Sequence, residues 1–191
     1  MRLKRKFFNR NTVLVAQELL GKFLVRRIGN KLVKAKITET EAYCGTRDLA
    51  CHASKGLTER TKVMFGSAGF SYVYMVYGMY HCLNIVTEKE GNPAAVLIRS
   101  VGVVDGLPRS ELPILSFAAQ PQSEVLLRGP GILCRELKID RKLNAVDLIK
   151  SNLLWIEDGE IKIKKSQIKK GKRIGVGYAG KWKDKLWRFY L

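Results

Sequence analysis

From Lys31 to Tyr43 the chain alternates, with Leu32, Lys34 and Lys36 opposing Val33, Ala35 and Ile37, the pattern of a long β-strand. Lys22–Ile28 reads as a strand before it, joined through the turn residues Gly29 and Asn30. Three shorter runs follow, Tyr72–Val76, Tyr80–Thr87 and Ala94–Arg99. Gly78 separates the first two and Gly91-Asn92-Pro93 the last two, which predicts an antiparallel meander. Asp158-Gly159 predicts a hairpin between Trp155–Glu157 and Glu160–Lys164, and Trp187–Tyr190 reads as a closing strand. Helices are expected from Asn11, a capping residue, to about Leu20 before Gly21, at Ile132–Leu137 and at Asp147–Ser151. Residues 45–69 read as loop with room for a short helix, and residues 105–130, with prolines at 108, 113, 121 and 130, carry no readable period. The sum is a mostly antiparallel α+β fold, a single domain over residues 1–191.

Charge gives this domain an expected partner. There are 35 Lys plus Arg against 17 Asp plus Glu, a formal net charge of +18. Solubility needs less, and self-repulsion makes such an excess costly. Nucleic acid, bound through release of phosphate counterions, is expected over an anionic lipid surface or a basic proteome background. Residues 1–10 form a basic N-terminal arm with Arg2, Lys4, Arg5, Lys6 and Arg10, and the first acid is Glu18. From Glu160 onward eleven basic residues stand against Glu160 and Asp184. Both ends suit a phosphate backbone, and Lys162 to Arg173 suits a solvated loop equally.

No stretch approaches the roughly 18 consecutive apolar residues of a membrane span. The basic N-terminus lacks the apolar core of a signal peptide. An intracellular protein is expected, cytoplasmic at a bacterial nucleoid or nuclear. Cys44, Cys51, Cys82 and Cys134 contain no CxxC pair, and only His52 and His81 could join them, so no metal site is expected.

Candidate chemistry begins at Ile37 to Tyr43. On a strand end, Glu39, Glu41 and Tyr43 share one face. Two carboxylates beside a phenol suit acid–base work, because apolar surroundings raise a carboxylate's proton affinity. Ordinary surface glutamates fit the same pattern, and it does not choose between Glu39 and Glu41. Tyr72, Tyr74, Tyr77 and Tyr80 are four of seven tyrosines. Such rings stack on bases, and one at a hairpin tip, Tyr77 before Gly78, is placed to wedge into a duplex. Tyr72 and Tyr80 are expected in the core. Arg99 ends the apolar run Ala94–Ile98 and needs a carboxylate, a phosphate or solvent. Asn84 is either hydrogen-bonded in the core or exposed to a pocket. His52 alone carries no signal.

Taken in order, these segments resemble the alkyladenine (3-methyladenine) DNA glycosylase family of the mammalian type. The matching stretches are Glu39–Tyr43 (ETEAY), His52, Thr58–Phe65 (TERTKVMF), Tyr72–Asn84 (YVYMVYGMYHCLN), Val96–Arg99 (VLIR), Gly129–Leu137 (GPGILCREL) and Arg173–Trp182 (RIGVGYAGKW). Together they are spread over nearly all of residues 11–190. The resemblance implies a curved sheet with surrounding helices and a protruding hairpin that inserts into DNA. It implies a DNA-repair enzyme that flips alkylated or otherwise damaged purines from duplex DNA and hydrolyses the N-glycosidic bond. By the same resemblance Glu41 is the general base that activates water, held with Arg99 and the backbone carbonyl of Ile174. Tyr43, His52 and Tyr74 sandwich and hydrogen-bond the flipped base, Asn84 crowds the 2-amino group of normal guanine, and Tyr77 intercalates. Glu39 matches a neighbouring glutamate without the base role. No metal or cofactor is implied, and the partner is double-stranded DNA bound by a monomer with no obligate protein partner. Residues 105–128 and the run Lys162–Lys172 depart from the family pattern.

Two rival readings are weighed against this one. A non-catalytic DNA or RNA binder on the same scaffold would lack the base or the arginine, and both are present. A glycosylase–lyase would need a lysine in a desolvated setting, which no segment here offers.

Overall fold

Residues 1–10 fold back onto the rest of the chain. Leu3 N–H donates to the Ile156 carbonyl at 2.9 Å. Arg2 donates to the Ile149 carbonyl at 3.0 Å and lies over the Trp155 ring. Arg5 opens a one-turn helix, α1 (Arg5–Phe8), and pairs with Asp147 at 2.7 Å, while Phe8 is buried. Two cations of the expected basic arm are thus committed to protein partners. The structure is a computed structural model that describes residues 1–106, 125–159 and 163–191. The readings of residues 107–124, and of 160–162 in the Asp158-Gly159 hairpin, lie outside the described residues.

Helix α2 (Thr12–Glu18) starts where the sequence places it, with Asn11 Oδ1 accepting from the Val13 and Leu14 amides. β1 (Phe23–Ile28) and β2 (Lys31–Cys44) pair from Phe23↔Lys36 to Ile28↔Lys31. β3 (Ser71–Val76), β4 (Tyr80–Val86) and β5 (Ala94–Asp105) form the expected meander. β6 (Val125–Arg128), β7 (Leu154–Glu157), β8 (Lys169–Gly171) and β9 (Arg188–Tyr190) complete one antiparallel sheet among the described residues. Its main order is β3-β4-β5-β2-β1-β7, with β6 on the far half of β5, β9 on the far half of β2, and β8 on β9. Between β6 and β7 lies α3 (Pro130–Glu136), with proline in its first turn. The α+β class expected from the sequence is therefore the one observed.

Two elements differ from expectation by more than two residues at an end. β5 runs on to Asp105, past Arg99, because Ser100 to Val103 pair with both β2 and β6. Asp147–Ser151 is a turn and not a helix. Asp147 Oδ1 accepts from the Ile149 amide, and Asp147 bridges to Phe70. Such local side-chain bonding competes with a helix.

One face of the sheet carries the core. Val73, Leu83, Ile85, Val96 and Ile98 pack there with Val15 of α2, Leu133 of α3 and the residues that end these helices, Leu19 and Leu137. Each fully buried side chain of this kind contributes about 1.5–3 kcal/mol. Halfway along β2 the core-facing positions change parity. Val33, Ala35 and Ile37 face the core before Thr38, and after it the core-facing positions are Ala42, in the same cluster, and Thr40, bonded to α2. Thr40 Oγ1 donates to the Ala16 carbonyl of α2 at 2.8 Å. Register shifts on both sides of Glu39 mark the irregularity, and β5 changes phase at the same level, from Val96 and Ile98 to Val101 and Val103. An extra residue in a strand turns its alternation over. Glu41 and Tyr43 share the parity of Val33 and Ile37, yet they lie on the opposite face.

Candidate active site

On that opposite face four strands bring side chains into register. Tyr43 pairs with Ala95, Glu41 with Leu97, Leu97 with Asn84, and Asn84 with Tyr72. Tyr74, Cys82 and Arg99 follow one pleat along. Except for the buried Glu41, these side chains line a cavity of about 370 Å³, the size of a small-molecule pocket. The turn His52–Lys55 adds His52, and residues 174–178 add Ile174 and Tyr178.

Glu41 is fully buried beside this cavity. Its Oε2 accepts from the Tyr43 hydroxyl at 2.7 Å, and its Oε1 from the Ile174 amide at 2.8 Å. Arg99 Nη1 lies 3.5 Å from the same Oε1. Burial pushes the Glu41 carboxyl above the usual range, against the Arg99 charge and the bonds from Tyr43 and Ile174. Glu39 sits differently. It is partly exposed and accepts from Arg99 Nε at 3.2 Å, Ser100 Oγ at 2.9 Å and Arg188 Nη1 at 3.0 Å. The two glutamates therefore share Arg99, and the more buried of them is Glu41. Ile174 meets Glu41 through its N–H, whereas the resemblance assigns a role to its carbonyl.

An aromatic wall stands nearby. His52 Nδ1 and the Tyr72 hydroxyl are 2.9 Å apart, and the His52 ring meets Tyr74 edge-on at 4.6 Å. Burial and the charge of Arg60 lower the His52 pKa to about 4, so the imidazole is neutral at pH 7. Burial also raises the Tyr43 and Tyr74 hydroxyls. Asn84 is buried, and its Nδ2 donates to the Tyr72 carbonyl at 3.1 Å. Its nitrogen is thus committed to backbone while the residue lines the cavity.

Tyr77 tips the β3–β4 hairpin. The Met79 amide donates to the Val76 carbonyl, and Tyr77 and Gly78 both have positive φ, 53° and 69°. A tyrosine in that region is strained. Its side chain is 85% exposed, beside the exposed Met79. Tyr72 is buried as expected, but Tyr80 is 41% exposed and belongs to this tip. It packs against the backbone of Gly131, where an added Cβ would meet its ring at 3.0 Å.

Two features carry no local signal in the sequence. Arg60 lines the cavity, with its guanidinium 4.9 Å over the Tyr74 ring. Arg173, expected at the end of a basic loop, is buried instead and forms a two-pronged pair with Asp48, at 2.5 and 2.9 Å. Only the fold brings these residues to the site, so spacing could not have found them. Among the described residues no group of three His, Cys, Asp or Glu side chains is placed to hold a metal ion, and no helix is long and apolar enough to cross a membrane.

Comparison with known proteins bears on what this site is for. The sequence model of the methylpurine-DNA glycosylase family matches residues 6–191. A Legionella pneumophila (strain Corby) protein named "Putative 3-methyladenine DNA glycosylase" is 48% identical over 190 residues, covering 100% of this chain and 94% of that protein. A protein of the same name from Methanocella arvoryzae is 49% identical, covering 98% of this chain and 91% of its own. One from Clostridium perfringens is 42% identical, covering 100% and 96%. The match spans every strand that builds the pocket, and this chain belongs to the methylpurine-DNA glycosylase family of DNA-repair hydrolases.

Proposed function

We propose that this protein is a monofunctional purine DNA glycosylase that removes damaged bases from duplex DNA with a water activated by Glu41. The observation that carries this reading is the buried Glu41 carboxylate, bracketed by Tyr43, Arg99 and Ile174 beside an aromatic pocket. Each carboxylate oxygen accepts one short hydrogen bond and keeps a second lone pair for a water. Arg99, bonded to Glu39, would hold the same water, and the hydrogen bond from the Ile174 amide to Glu41 supports a part for Ile174, whose carbonyl is the group of the family assignment.

The flipped base would lie among Tyr43, His52 and Tyr74. Neutral His52 offers hydrogen bonding without repelling a cationic alkylated purine, whose charge suits electron-rich rings. Asn84, buried with its nitrogen tied to the Tyr72 carbonyl, lines the pocket and would crowd the 2-amino group of guanine. Tyr77, exposed at the hairpin tip, fills the gap left in the duplex. Water adds to C1′ as the C1′–N bond breaks with its electron pair leaving on the base, and Glu41 takes the water's proton. Its negative charge also stabilises the oxocarbenium-like transition state. The net charge of +18 supports binding to DNA, with the protein acting as an intracellular monomer.

Base release from duplex oligonucleotides carrying 3-methyladenine or hypoxanthine tests this. Glu41→Gln is expected to lose at least about 10²-fold in single-turnover rate while still binding the duplex. Wild-type turnover in Glu41→Gln would overturn the assignment. Borohydride is expected to trap no protein–DNA adduct.

A further inference from the structure

The side chain of Arg173 is fully buried, and so is that of Asp48. Arg173 Nη1 donates to Asp48 Oδ2 at 2.5 Å and to the Ala42 carbonyl at 2.9 Å. Nη2 donates to Asp48 Oδ1 at 2.9 Å and to the Trp182 carbonyl at 3.0 Å. The guanidinium also lies 4.9 Å over the Tyr43 ring and 5.1 Å over Trp187. Asp48 in turn accepts from the Cys44 and Ala50 amides. One ion pair therefore ties together β2, the loop after it and the segment 173–182.

Its position matters more than its strength. A buried ion pair gives little net stability against well-packed apolar residues, and this one leaves Arg173 Nε without a partner among the described residues. Yet the pair grips both neighbours of the catalytic geometry. Ala42, whose carbonyl it holds, separates Glu41 from Tyr43. Ile174, the residue after Arg173, is the one whose amide donates to Glu41.

We propose that Arg173 and Asp48 are positioning residues that hold the Ile174 amide and the Glu41–Ala42–Tyr43 backbone in the arrangement base excision requires. This rests on the assignment of Glu41 as the base. The pair reaches Glu41 through the backbone it holds and through the Tyr43 ring beneath the guanidinium, so its loss acts by letting segment 173–178 and Tyr43 drift from their places beside Glu41. A drift of about 1 Å at a reacting group can cost about 10²-fold in rate. The ionisable groups facing Glu41 itself are Arg99 from β5, Tyr43 and Glu39 from its own strand, and Cys82 from β4. Asp48→Asn replaces none of them and leaves the Arg173 cation over the Tyr43 ring. Weakening the Ile174 bond removes an interaction that favours the charged carboxylate, so the pH at which activity fails on acidification moves upward.

The test is single-turnover release of hypoxanthine from a duplex, measured against pH for wild type, Asp48→Asn, Arg173→Lys and Glu41→Gln. Thermal melts and affinity for a duplex carrying a tetrahydrofuran abasic-site analogue are measured alongside. Asp48→Asn is expected to lose about 10- to 100-fold in rate, to show its acid limb displaced to higher pH, and to bind the analogue duplex within about threefold of wild type. If it does not fold, Arg173→Lys, which keeps a cation but removes the planar fork, is read by the same criteria. A folded variant with wild-type rate, or with a reduced rate and an unmoved acid limb, overturns the proposal. Activity in Glu41→Gln would instead overturn the base assignment on which it rests.

Discussion

Arg99 divides its guanidinium between two carboxylates, with Nε hydrogen-bonded to Glu39 at 3.2 Å and Nη1 lying 3.5 Å from Glu41. Glu39 is partly exposed and has two further donors, Ser100 and Arg188. Glu41 is fully buried and faces the pocket wall. The more solvated acid thus anchors the arginine, and the buried acid receives its remaining charge.

Glu39→Gln should therefore slow base release without abolishing it. The neutral amide still accepts from Arg99, but the charge-assisted bond is lost. A decrease of about tenfold, about 1.4 kcal/mol of barrier, is expected in single-turnover assays. A loss equal to that of Glu41→Gln would show that the two carboxylates act as one unit.

Glu41→Gln should raise stability as it removes activity. Burial holds the folded-state pKa of Glu41 above its ordinary value of 4.5. Above 4.5 and up to the folded pKa, the folded state binds the proton more tightly, so stability falls as pH rises through that window. At pH 7 the buried charge is a standing cost, and glutamine avoids it while the Tyr43 hydroxyl turns to accept from the new amide. A gain of about 1 kcal/mol, or about 2–4 °C in Tm, is expected at pH 7. The gain should vanish below pH 4.5, which melts at two pH values will check.

His52 should titrate near pH 4 in NMR spectra of the folded protein, because burial and then Arg60 disfavour its cation. Between about pH 4 and the ordinary value of 6.5, the unfolded chain binds a proton that the folded state refuses. The contribution of His52 is therefore complete above 6.5 and is lost as pH falls toward 4. Arg60→Gln should move the titration upward, and an unmoved resonance would show that burial acts alone.

Tyr77→Gly should separate stability from function. Glycine adopts a φ of 53° without strain, offsetting about 1–3 kcal/mol of local cost. The exposed ring belongs to no core cluster among the described residues. Tm is expected to hold or rise, while excision from fully paired duplex falls at least about tenfold, the wedge having gone. Release from single-stranded substrate should change little, and parallel assays on the two substrates measure the difference.

Much of the fold could be read directly from local pattern. Alternation marked β2, turn residues separated β3, β4 and β5, and Asn11 capped α2. The sequence by itself also determined the charge that calls for a polyanion and the family, and through the resemblance it proposed the candidate residues Glu41, Tyr43, His52, Tyr74, Tyr77, Asn84 and Arg99. Alternation predicted that Glu39, Glu41 and Tyr43 share a face, but it also placed them on the face of Val33 and Ile37. Only the tertiary structure decided which face they occupy, because the phase change at Thr38 and Glu39 arises from pairing with β5 and leaves no residue signature. It also decided that Glu41 is the buried carboxylate, since burial depends on which segments pack above a strand. The grip of Arg173 on Asp48 lay beyond sequence for the same reason, since a charge in a basic run is solvated unless the fold closes over it.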